Sequence, residues 1–314
     1  MTAIPVLVPP SSGVVTQPYM TPAMFRAFPT YLDTDNLIPG GVAAVQDDAL
    51  ADALLVASDW AAGACDDMPL HGHLVSGENQ RCVVKSSGRA YVRPEHVPIR
   101  SVTSLSWGAD PASMSAVALP DSSMWFEDGR RMSWAPGGGI TQFTGPAIQF
   151  GPRIGLPSAI YVNWSYVAGF PSTTLSVVNQ GVSSVTVADP TGILPGDTLR
   201  VYDPGVTEAW TVAASYVPVI PTIPPTPTAI PLTSATAHAH VAGTGITGFP
   251  RRALQAVVAF TVAVLMRDDV SEEEPASPFG PAARTTAGGR GGHASGLVND
   301  AYGWLSAFRP TLRS

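Results

Sequence analysis

The sequence predicts an α+β fold: a small helical core, a strand-rich region, an inserted β domain, and extended N- and C-terminal arms. Three observations carry that expectation. Residues 250–269, PRRALQAVVAFTVAVLMRDD, hold an apolar run from Ala253 to Met266 broken only by Gln255 and Thr261. A helix apolar on nearly every side belongs in a core. Between residues 74 and 241 the apolar pattern shortens to strand-length segments divided by Gly, Pro and Ser turns. Finally, Gly 30 and Pro 31 in 314 residues require many turns and short elements.

Composition bounds the rest. A chain that is 45% hydrophobic and 13% charged can bury a sizeable core in one or two domains. The net charge of −7 argues against a protein that grips phosphates or reads nucleic-acid sequence. It suits the wall of a passage through which DNA slides without sticking. Cys65 and Cys82 are too few for a disulfide framework, so a reducing compartment is expected. The opening MTAIPVLVPPSSG lacks a basic n-region and reads as no signal peptide. The apolar run covers about 21 Å at about 1.5 Å per residue, short of the roughly 20 residues a bilayer needs. A soluble protein made inside the cell is the expectation.

Taken in order, residues 1–20 form a proline-rich extended arm. Thr21-Pro22 opens a short helix, TPAMFRAF, with Thr21 as cap and Pro22 at the first helical position, ending at Pro29. A second helix spans 47–65, where Leu50, Leu54, Val56, Ala57, Trp60 and Ala64 fall near a helical repeat behind initial acids. Strands are predicted at 80–85, 90–93, 102–107, 124–134, 147–150 and 160–166, the fourth folded on an Asp128-Gly129 hairpin turn. Residues 21–171 thus form the first part of the helical core plus a β region. Residues 172–243 read as an inserted β module, its proline-rich stretch 218–231 stiff and unpacked. Residues 244–270 are a glycine hinge, GTGITG, and the core helix, which should stop by Pro275. The helices at 47–65 and 251–266 should pack together, each lacking another long partner. Residues 271–314 combine a linker of disordered composition with a short amphipathic helix at 299–309, whose Ala301, Trp304, Leu305 and Phe308 share one face.

The chemistry-bearing patterns read as structural. GTGITG matches G-x-G-x-x-G, but the following helix leads into DDVSEEEPASP and not into the second strand a dinucleotide site needs. Cys65, His71, His73 and Cys82 offer soft ligands at a spacing that fits no familiar zinc module. His238 and His240, two apart, would face one side of a strand. Asp189, Asp197, Asp203 and Glu208 sit beside turns and strand ends. No catalytic residue, cofactor or metal is expected. Trp107, Trp125, Trp134, Trp164 and Trp210 would make a sugar-stacking platform if exposed, but in β segments they read as core.

Five strings in this order resemble the head-to-tail adaptor (connector) proteins of long-tailed bacteriophages. They are TPAMFRAF, SDWAAGACD, PIRSVTSLSWG, YVNWSYVAGFPSTTL and ALQAVVAFTVAVLMRD, covering roughly residues 21–269. The 172–243 module looks like an insert found in some of those adaptors. The resemblance implies a helical adaptor core assembled as a homo-oligomeric ring, commonly a dodecamer, in the virion neck after assembly in the host cytoplasm. Such a ring lies beneath the portal protein, extends the DNA channel without sequence-specific binding, and docks a stopper or terminator protein of the neck or tail. By position, the C-terminal segment matches the family's portal contact, with Trp304, Leu305 and Phe308 as anchors and Arg309 and Arg313 at the rim of a docking arm. The runner-up function is a phage surface or tail decoration module that binds a glycan or a capsid partner.

Overall fold

The computed structural model describes residues 15, 17–85, 88–127, 129–135, 159–203, 205–266 and 290–309, with side chains in the last stretch from residue 296. The arm at 1–14, the expected strand at 147–150, Asp128, the linker at 267–289 and Arg313 lie outside the described residues. The chain divides into two compact units: one of residues up to Pro69, Tyr202–Thr207 and Phe249–Arg309, the other of Leu70–Val201 and Glu208–Gly248.

Strands dominate. Among the described residues thirteen strands in four sheets stand against four α-helices. The expectation of a small helical core carrying β additions is therefore overturned. The helical run of 251–266 announces itself locally, whereas strands such as 73–83 are mostly polar and acquire their identity from distant partners.

In the helical unit, α1 (Pro22–Arg26) is capped as expected: Thr21 Oγ1 accepts the Met24 N–H at 3.2 Å. Arg26 Nη1 meets Asp47 Oδ1 at 2.7 Å and ties α1 to α2. Helix α2 (Ala43–Gly63) starts four residues before the sequence suggests and has no acid in its first turn. Its cap is unusual. Val42 offers no side-chain bond, and Gln46 instead reaches back, accepting from Ile38 N at 2.9 Å and donating to Ile38 O at 2.8 Å and Gly41 O at 3.2 Å. Helix α3 (Arg251–Leu265) begins after Pro250 and buries Ala253, Leu254, Ala256, Val257, Ala259 and Phe260. It packs on α2, as expected, through the edge-on Trp60–Phe260 pair at 5.9 Å. Ser58 donates to Leu54 O at 2.7 Å and accepts from Tyr19 N at 2.9 Å, pinning the chain ahead of α1 to α2. Among the described residues no helix is long and apolar enough to cross a membrane.

The strand unit has two cores. The first lies under β1 (His73–Val83), β7 (Ala159–Ala168), β3 (Ile99–Gly108) and β4 (Ser115–Ala116), an all-antiparallel sheet in the order β1-β7-β3-β4. Central β7 alternates cleanly, burying Ile160, Val162, Trp164 and Tyr166. A smaller sheet, β2 (Ala90–Val92), β6 (Arg131–Trp134) and β5 (Trp125–Glu127), adds Ala90, Val92, Met132 and Trp134 to the same core. Its β5–β6 hairpin turns through Gly129 at φ 66°, a conformation that suits glycine.

The second core sits between the sheet β11 (Glu208–Thr211), β10 (Thr198–Tyr202), β13 (Gly245–Thr247), β8 (Ser172–Thr174) and the pair β12 (Thr228–Pro231)–β9 (Ser184–Val187). Val185, Val187, Leu199, Val201, Trp210 and Ile230 fill it. Here the glycine-hinge reading is corrected. Gly245–Thr247 is a fully buried strand between β10 and β8, and Gly248 N and Thr247 Oγ1 both donate to Pro171 O, at 2.8 and 3.2 Å. A Cβ at Gly248 would meet Pro171 Cγ at 2.8 Å, so that glycine serves close approach and not a hinge.

Candidate functional site

The C-terminal segment folds onto its own chain. Helix α4 (Arg290–Leu305), followed by a 3-10 turn at Ser306–Phe308, begins nine residues before the expected start at 299 and packs along α3. Ala301 and Leu305 are wholly buried, and the Tyr302 ring stands edge-on to Phe260 at 5.5 Å. Arg309 Nε donates to Ala64 O at 2.8 Å and Cys65 Sγ donates to Leu305 O at 3.8 Å, locking the end of α4 to the end of α2. Of the expected partner-binding residues described, Leu305 is buried, Arg309 bonds within the chain while staying exposed, and Trp304 and Phe308 are half-buried. The docking-arm expectation is corrected to that extent. The physical reason is that a Trp/Leu/Phe face finds the nearest apolar helix, here α3.

A prediction follows from this packing. Removing residues 299–314 deletes the buried Ala301 and Leu305 and uncovers Phe260. The helical unit should lose at least about 3 kcal/mol, the scale of a buried Leu truncation. An unchanged melting temperature in thermal unfolding would restore the independent arm.

Two surfaces remain available in the described residues. The solvent side of α2 carries Asp48, Asp52 and Asp59, with Asp66 and Asp67 following its end, all exposed. The helix contains no lysine or arginine, and Asp47 is already paired with Arg26. Among the described residues these form a row of carboxylates, flanked by Arg26 at the start of the helix and Arg309 at its end. In the strand unit, residues 217–227 belong to no helix or strand and link β11 to β12. Val217, Ile220 and Ile223 are 77, 64 and 101% exposed. They recur at every third residue, each followed directly by a proline: Pro218, Pro221 and Pro224. No charged residue lies between Tyr216 and Thr228.

The other sequence-level candidates disperse. Cys65 is buried at the end of α2, and burial, partly offset by Arg309, pushes its thiol up to about 12, which makes it inert. Cys82 lies in the first strand core, and among the described residues no His/Cys/Asp/Glu group is arranged to hold a metal. His238 is exposed while His240 is buried, with Nε2 2.7 Å from Glu208 Oε1, so the two do not share a strand face. Glu208 also accepts from Ala237 N and His238 N at 3.0 and 3.2 Å. Burial pushes its carboxyl up, but the hydrogen bonds, His240's foremost, outweigh it and hold the group below its usual range. This is a clamp on the 236–240 loop. Asp189 and Asp197 accept turn amides from Thr191 and Leu194, as turn acids do.

Trp134, Trp164 and Trp210 are buried, and Trp107 stands edge-on against Trp134. Trp125 is 66% exposed, so the five tryptophans make no platform. Sequence reasoning passed over His96, whose ring meets His73. The two are 23 residues apart on different elements, and no periodic signal joins them. No protein-family model, curated protein or solved structure matches the chain.

Proposed function

We propose that this chain is a structural virion protein that assembles with copies of itself as a ring between portal and tail. The observation that carries the reading is the uncharged 217–227 segment with its exposed Val217, Ile220 and Ile223. Exposed aliphatic side chains clustered in an uncharged segment are disfavoured in water and suit a contact with a neighbouring subunit. The carboxylate row of α2 supports the channel role: it repels DNA phosphates and lets a duplex pass without sticking. The ordered resemblance of five strings to head-to-tail adaptors supplies the assembly context, in which the portal lies above the ring and a neck or tail component below.

Negative-stain microscopy of the purified protein tests this directly, with rings around a central hole expected. A variant carrying Val217→Ser, Ile220→Ser and Ile223→Ser should remain folded, since exposed substitutions change stability by about 0.5 kcal/mol or less each. It should form no rings. Rings that persist in the triple variant would remove the segment from the contact, and monomeric wild-type protein would count against the ring itself. One observation favours the decoration-module reading: the exposed Trp125 on edge strand β5. Glycan retention by a monomer, lost on Trp125→Ala, would select that alternative.

A further inference from the structure

The strand unit contains a polar network apart from the 217–227 segment. The connection at residues 93–98, between β2 and β3, is held to the β1-β7-β3 sheet by three backbone donors. Arg93 N donates to Gln80 Oε1 at 2.9 Å, Glu95 N to Glu78 Oε2 at 3.1 Å, and His96 N to the Tyr166 hydroxyl at 3.0 Å. Tyr166 in turn donates to Glu78 Oε2 at 2.7 Å. Beside them His96 Nδ1 lies 2.5 Å from His73 Nε2, and His73 Nδ1 lies 2.7 Å from His71 O.

The proton positions follow from these partners. A carbonyl only accepts, so His73 Nδ1 carries a hydrogen and, in the neutral ring, Nε2 is a lone pair. His96 Nδ1 must then be the donor. With one ring charged, one of the two facing nitrogens still keeps a lone pair and the bond survives. A second proton puts a hydrogen on both facing nitrogens and sets two donors 2.5 Å apart. A metal ion does not fit between the rings: tetrahedral ligation at about 2.0–2.1 Å holds two nitrogens about 3.3 Å apart.

We propose that the His73–His96 contact is an acid-sensitive latch, closed with no proton or one added and opened by the second, which releases the 93–98 connection from the sheet. The titratable and charged groups around it are Glu78 on β1 and Tyr166 on β7, Arg93 and Glu95 on the connection itself, and His71 ahead of β1, on which Asp189 after β9 acts. Desolvation lowers the proton affinity of His73, with the His71 carbonyl opposing it. Desolvation, with the His73 charge second and Asp189 opposing, takes His71 down from 6.5 to about 4. The sign is that of bases held neutral by folding. Their contribution is full above about pH 6.5 and is lost as the pH falls toward about 4.

Hydrogen exchange of the full chain, corrected for the intrinsic rate, reads the latch from about pH 8 to about pH 4.5. Exchange of the Glu95 and His96 amides should accelerate about tenfold per pH unit once the second proton binds. The β7 amides of Val162 and Trp164 should keep their protection. His73→Gln, which cannot titrate, should flatten the response. If that variant does not fold, histidine ring NMR of the wild type decides, with two well-separated titration steps expected for the pair. Pair titration in one step near the ordinary value, or 93–98 protection that is flat with pH, overturns the latch. The outcome is independent of whether rings form.

Discussion

Phe260→Ala lowers the stability of the helical unit by about 3–5 kcal/mol. The side chain is fully buried and takes an edge-on ring from each neighbour, Trp60 of α2 at 5.9 Å and Tyr302 of α4 at 5.5 Å. Truncation removes its own transfer energy, leaves a cavity where three helices meet, and cancels two aromatic pairs worth about 0.5–1.5 kcal/mol each. Collapse into the cavity is limited because Ala256 and Ala259 nearby have little to contribute. Urea unfolding followed by helical circular dichroism measures the loss. A change below about 1 kcal/mol would mean that α3 is not the centre of this unit.

Asp197→Ala should destabilise the strand unit by about 2–4 kcal/mol, the scale for removing one partner of a largely buried pair. Asp197 and Arg100 are only 20 and 18% exposed, and their side chains form a direct ion pair. Arg100 also donates from Nε to Gly192 O at 3.0 Å, and Asp197 Oδ2 accepts from Leu194 N at 2.7 Å. The pair therefore joins β3 of the first strand core to the turn ahead of β10 in the second. Losing the carboxylate leaves the guanidinium with a single carbonyl partner and frees an amide. Arg100→Lys should rescue little, because an ammonium cannot span Gly192 and Asp197 from one planar group. A loss under about 0.5 kcal/mol in denaturant unfolding would show the pair to be solvated and marginal.

The C-terminal segment shows where a correct local reading stops short. That Ala301, Trp304, Leu305 and Phe308 form one apolar face follows from their spacing. Which surface meets that face does not: α4 packs on α3 and the end of α2, burying Ala301 and Leu305 and leaving Trp304 and Phe308 half-buried. The same division holds for GTGITG. Three glycines in six residues suggest freedom, yet Ile246 is buried between two strands and Gly248 is pressed against Pro171. The carboxylate row of α2 was legible only as initial acids, because the true start at Ala43 depends on Gln46 folding back onto Ile38.

By itself the sequence determined what short-range chemistry controls. The Thr21-Pro22 start of α1, the apolar run of α3, the Gly129 hairpin and the alternation of β7 all depend on neighbours a few residues away. Tertiary structure decided the rest. Strand β1 extends from His73 because β7, with partners 76 to 95 residues later (Val83–Ala159 to His73–Ala168), pairs with it through a register shift at Val75/Glu78. A polar strand has no hydrophobic period of its own to declare it, and its backbone hydrogen bonds are satisfied only by a partner the linear chain does not reveal. The His73–His96 contact arises in the same way, from a loop that the β1-β7-β3 sheet holds in place.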